Sequence, residues 1–252
     1  MRKHFFRIMY WTVFMYAILS VYSYAGTWRD QFDDINLNGW ERIVEEDPWF
    51  ASWEIDPWNI GYLYTVIEKP KQEQVTAADF LHWNAHQFQL DKVTVVGEKI
   101  RYPQDARFIS GELCLFLGKR QPSPDFAEGY IFSPEKTTKI QFTENGVYKK
   151  GEVKADYGLM FRLTSGDIRV VFDTGKFQLF TQDLPITEFV DDEIPMIDVV
   201  GLMSVFEFPG DYFNGTISTF SISGSSIPRS NVLDVRLREE QLTTIWGKLK
   251  RF

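Results

Sequence analysis

Asp30-Gln31-Phe32-Asp33-Asp34-Ile35-Asn36-Leu37-Asn38-Gly39-Trp40 decides how the rest of this chain is read. Two aromatic residues bracket a run of Asp and Asn, and a glycine precedes the second aromatic. That pattern fits the end of a first strand, a turn and the start of the next strand, with Phe32 and Trp40 plugging a sandwich core and Gly39 turning the chain. Upstream, Arg2, Lys3 and Arg7 precede an uncharged apolar run from Ile8 to Val21, and Ser23-Tyr24-Ala25 follows. Basic residues, a short apolar run and small residues in that order read as a secretory signal. The run is shorter than the ~20 residues that a spanning helix needs. Residues 1–25 are therefore expected to be a signal peptide cleaved after Ala25, and the protein to be exported to the periplasm, the cell surface or the medium. No later apolar stretch is long enough to span a bilayer as a helix.

The chain carries 27 basic and 35 acidic residues, and loss of the signal would remove three of the basic ones and none of the acidic. Such an acidic chain repels nucleic acid and anionic lipid, so neither is an expected partner. Cys114 is the only cysteine, which excludes an internal disulfide. Stability must come from apolar burial, and the 16% aromatic content supplies large side chains for it. The length left after cleavage suits one β-domain over residues 26–228, because sandwiches reach about 200 to 250 residues as a single unit.

Short strands broken by turn residues dominate the chain, with almost no helical period. Trp53 to Ile67, interrupted by Pro57 and Gly61, suits two strands joined by a turn. Leu113-Cys114-Leu115-Phe116-Leu117 is apolar on both alternating faces, as in a strand covered on both sides. The stretch from Gly118 to Gly129, with Pro122 and Pro124, reads as a long loop, and Asn145-Gly146 and Ser165-Gly166-Asp167 read as hairpin turns. About a dozen strands in an antiparallel sandwich are expected. Beyond Pro228 the texture changes. Leu242, Ile245, Trp246 and Leu249 fall at helical spacing ahead of Lys248, Lys250 and Arg251, so residues 229–252 are expected to form a tail with a short amphipathic helix.

The opening motif, together with Trp53-Glu54-Ile55-Asp56 and the closing strand Gly215-Thr216-Ile217-Ser218-Thr219-Phe220-Ser221-Ile222-Ser223-Gly224, resembles the concanavalin A-like lectin/glucanase superfamily, a laminin G-like jelly roll. The resemblance covers residues 27 to about 227 and implies an all-β, two-sheet antiparallel sandwich in which the first and last strands pair. It also implies sugar binding or sugar hydrolysis. The hydrolytic branch uses a strand reading Glu-x-Asp-x-x-Glu; here Glu54-Ile55-Asp56-Pro57-Trp58-Asn59 begins that pattern and lacks the last acid. A retaining glycosidase needs a nucleophile and an acid together, so this motif does not supply the chemistry. No catalytic residue is assigned.

Sugar binding asks for flat aromatic faces flanked by hydrogen-bonding groups. Trp49, Trp58, Tyr62 and Trp83 are the candidates, with Trp53 read as buried. A polysaccharide or glycan is the partner this implies. Calcium prefers oxygen ligands, and Asp30, Asp33 and Asp34 form the first candidate site for a structural ion, with Asp191, Asp192 and Glu193 as a second cluster. His82 and His86 stand four apart, but the residue between them that a zincin needs as Glu is Trp83, leaving only a zinc pair completed by Asp79. A concave sheet face with exposed aromatics would favour binding, two facing carboxylates would favour hydrolysis, and a filled face would favour a structural or adhesion role.

Overall fold

The computed structural model describes residues 26–33, 37–43, 50–55, 63–68, 77–84, 87–100, 112–133, 136–144, 148–157, 166–206 and 212–227. The expected signal peptide and the expected C-terminal helix lie outside them. Sixteen strands are present among the described residues, with no helix. A six-stranded sheet runs in the spatial order β1 (Gly26–Asp30), β16 (Thr219–Gly224), β6 (Lys92–Ile100), β11 (Gly166–Asp173), β12 (Lys176–Thr181) and β13 (Leu184–Val190). A seven-stranded sheet runs β10 (Tyr148–Asp156), β9 (Lys136–Thr143), β8 (Asp125–Phe132), β7 (Glu112–Arg120), β14 (Val199–Phe206), β5 (Ala77–Trp83) and β2 (Trp40–Ile43). A small third sheet joins β15 (Tyr212–Ile217), β4 (Leu63–Glu68) and β3 (Phe50–Ile55).

First and last strands pair as expected, antiparallel from Gly26 opposite Gly224 to Asp30 opposite Phe220. The opening motif does the work assigned to it. Phe32 is fully buried, Trp40 packs against the core, and Gly39 turns the chain at φ +88°. Asp30 organises the turn: one carboxylate oxygen accepts the Phe32 N–H at 2.8 Å and the other accepts the Trp40 indole N–H at 2.7 Å. Those bonds hold Phe32 at φ +50°, a conformation that costs a bulky residue strain unless its surroundings enforce it.

Strand alternation sorts β7 into two apolar layers. Leu113, Leu115 and Leu117 join a cluster shared with Val93, Val95, Val170, Phe172 and Ile222 of the six-stranded sheet, which is the sandwich core. Cys114 and Phe116 face the other way, into a second cluster with Phe80, Phe126, Ile131, Ile140, Phe142 and Met203, all from the seven-stranded sheet. All five residues from Leu113 to Leu117 are fully buried, as their double-sided pattern requires.

Gly118 and Gly129 correct the expected loop. They sit opposite each other in paired strands, β7 continuing to Arg120 and β8 starting at Asp125. The glycines are there for room: a Cβ on Gly118 would lie 2.7 Å from the ring of Phe116. Gly201 is equally confined, with Phe80 Cε2 and the Leu81 carbonyl oxygen each 2.5 Å from where its Cβ would stand. Gly201→Ala should therefore lower stability by about 1–3 kcal/mol through overpacking, read by thermal or denaturant unfolding.

At the far end of the core, Tyr130 donates to Asp191 at 2.7 Å, and the Lys139 ammonium reaches Asp191 at 2.9 Å and Glu193 at 2.7 Å. The Glu193 N–H closes the turn onto the other Asp191 oxygen at 2.9 Å. Burial alone would raise the Asp191 carboxyl, but the Tyr130 hydroxyl, the Lys139 ammonium and the Glu193 N–H outweigh it and hold the group below its ordinary value of 3.8. A depressed carboxyl contributes stability that is present above its unfolded pKa and is lost as pH falls through the folded one. Stability should thus decline with acid below about pH 4. Asp191→Ala should cost about 2–3 kcal/mol at neutral pH and flatten that decline, measured by urea unfolding across pH.

Candidate functional site

A cleft of about 710 Å³ opens at the end of the sandwich that carries the opening motif. Strand ends and the segments that follow them build it. Glu41 comes from β2 and stands opposite His82 of β5. Trp83 ends β5, and Asn84 follows, its N–H donating to the Gly39 carbonyl at 2.7 Å. Gln87, Phe88 and Gln89 lead towards Leu90, which is clamped to Ile197 by two backbone hydrogen bonds of 2.9 Å. Arg120 ends β7, and its N–H donates to the Asp198 carboxylate at 2.6 Å. Ser226 comes from the turn after β16.

Side chains within the cleft are linked. Asn84 donates to Glu41 at 2.7 Å, and the same Glu41 oxygen lies 3.4 Å from His82 Nε2. His82 is buried between the rings of Phe80 and Phe126. Burial lowers its pKa more than Glu41 raises it, so the imidazole is neutral at pH 7. The Asp198 carboxyl is pushed up by burial, against the opposing pull of the Arg120 N–H and guanidinium. Arg120 lies over the Phe126 ring at 5.1 Å. Amides that both donate and accept, two carboxylates and one guanidinium thus converge on one hollow, a set suited to fixing a hydroxyl-rich ligand.

Trp83 is in the cleft but not as an exposed stacking face. The residue is only 2% exposed, tilted against Trp28 and Phe88 with ring centroids 5.4 and 4.9 Å away. Its place in β5 opposite Trp40 turns the ring into the core, which corrects the stacking role expected for it. Its indole N–H is buried without an acceptor among the described residues. Trp49, Trp58 and Tyr62 lie outside the described residues.

The calcium expectation meets a physical objection at both clusters. Both Asp30 oxygens accept N–H donors inside the turn, Asp33 is exposed, and Asp34 lies outside the described residues. At the second cluster a lysine ammonium occupies the position a cation would take beside Asp191 and Glu193. No group of three or more His, Cys, Asp or Glu side chains is placed to hold a metal ion among the described residues. His82 faces Glu41 and aromatic rings, and His86 lies outside the described residues.

Glu54 sits on β3, paired with Tyr64 in the small third sheet. Its strand is not part of the seven-stranded sheet, and Asp56 lies outside the described residues. The outer face of the seven-stranded sheet is filled by the second apolar cluster, whose members are at most 9% exposed. Glu41, Asn84, Gln87, Gln89, Arg120 and Asp198 were not singled out from the sequence. The amide-rich run after Trp83 was the one available signal, whereas Arg120 and Asp198 meet only through the pairing of β7 with β14.

No protein-family model and no curated protein matches the sequence. Solved structures do match in fold. A prokaryotic beta-1,3-1,4-glucanase (lichenase) derived from a mouse hindgut metagenome is 10% identical, with 80% of this chain and 100% of that one covered at a TM-score of 0.50. A 1,3-alpha-1,4-beta-D-galactose-4-sulfate-3,6-anhydro-D-galactose 4 galactohydrolase is 7% identical over 80% of this chain and 95% of its own, also at 0.50. Lectin II from Ulex europaeus is 10% identical over 79% and 98%, at 0.42. Paired terminal strands, two antiparallel sheets around one aromatic core and the two likenesses at a TM-score of 0.50 show the fold, an antiparallel jelly-roll sandwich like theirs.

Proposed function

We propose that this protein is an exported carbohydrate-binding domain that holds a saccharide in the cleft at the end of the sandwich without cleaving it. The observation that carries the reading is the convergence of Asn84, Gln87, Gln89, Glu41, Arg120 and Asp198 on one hollow. Amides and carboxylates in that density match the alternating donors and acceptors of sugar hydroxyls. The filled outer face of the seven-stranded sheet is what a structural or adhesion protein would carry, and it leaves no open aromatic platform there. The end cleft is what favours a ligand.

The test is a glycan array probed with the full chain, followed by titration of the best ligand. Gln87→Ala and Gln89→Ala should each weaken binding about 2- to 10-fold, the scale of one lost hydrogen bond, with the melting temperature unchanged. An array on which no saccharide is retained would return the protein to the structural reading. Hydrolysis is the second reading, favoured by one observation: Asp198, its carboxyl raised by burial, shares the cleft with Glu41. A raised acid facing a second carboxylate is the arrangement glycoside cleavage uses. Release of reducing ends from a bound polysaccharide, abolished in Asp198→Asn, would establish it over simple binding.

A further inference from the structure

Charge is distributed unevenly in the cleft, and from that distribution we infer that the site takes neutral saccharides and rejects anionic ones, the uronates and sulfated sugars. The inference rests on the saccharide-binding reading above and adds the chemical class of the ligand. Among the described residues, two carboxylates, Glu41 and Asp198, line the cleft against a single guanidinium, that of Arg120. Glu41 is more than half exposed, so its charge stands at the surface an incoming ligand meets. A site built for carboxylate or sulfate presents an open guanidinium fork or several cations. Arg120 instead spreads over the Phe126 ring, with its charge set against that of Asp198. The buried His82 adds no positive charge beside it at neutral pH.

The uncharged lining completes the case. Asn84, Gln87 and Gln89 offer neutral donors and acceptors. The whole chain carries a formal charge of −8, so the long-range field also repels an anionic polymer.

An array printed with neutral oligosaccharides and with their uronic-acid and sulfated counterparts, probed with the full-length protein, tests this. Neutral members should be retained, and anionic counterparts of a bound neutral sugar should bind at least about tenfold more weakly. Raising salt from about 0.05 to 0.5 M should narrow that gap, because the discrimination is electrostatic. The isosteric Glu41→Gln and Asp198→Asn variants keep one acceptor oxygen each, lose the charge and should narrow it too. Anionic sugars bound as well as neutral ones, or a gap indifferent to salt, would overturn the charge inference while leaving saccharide binding intact. Retention of no sugar of either class would overturn both.

Discussion

Phe116→Ala is expected to lower stability by about 3–5 kcal/mol, as large-to-small changes at fully buried aromatic positions do. The ring is fully buried, meets Phe80 edge-on at 5.2 Å and lies over Gly118. Were the outer face of the seven-stranded sheet an open binding surface, removal of the ring would cost binding rather than stability. Here the loss should appear in urea unfolding of the free protein. A melting curve indistinguishable from the parent would mean that the outer face of the seven-stranded sheet is open surface.

Trp83→Ala should cost a similar 3–5 kcal/mol, for the ring fills space between Trp28 and Phe88 at the core margin. Trp83→Phe separates packing from hydrogen bonding. It retains most of the apolar volume and removes the indole N–H, so much of the stability should return. Saccharide affinity should stay unchanged, because that N–H is buried out of a ligand's reach. A stable Trp83→Ala variant with weakened glycan retention would instead restore the stacking role.

The fold was legible because its signals are local. Phe32, Gly39 and Trp40 announce a strand end, a turn and a strand start, and the five apolar residues from Leu113 announce a strand buried on both faces. Gly118 and Gly129 misled because a strand glycine left bare for a close ring or backbone looks, in sequence, like a glycine in a turn. Calcium at Asp30 was suggested by acid density alone. Whether a carboxylate meets a cation or an N–H is decided by Trp40 returning across the turn, which spacing does not show. Tryptophan abundance suggested stacking faces, yet Trp83 lies in a strand whose alternation carries it inward with Leu81. The cleft was the least legible part. Glu41, Arg120 and Asp198 are ordinary surface residues in sequence and become neighbours only when β2 meets β5 and β7 meets β14.

Carbodiimide labelling of carboxylates, read by peptide mass spectrometry with and without a saturating saccharide, addresses the location of the site directly. Glu41 and Asp198 should lose reactivity when the saccharide binds, while exposed acids remote from the cleft, such as Asp183, keep theirs. Full labelling of Glu41 and Asp198 in the saccharide-bound protein would contradict a ligand site in the end cleft.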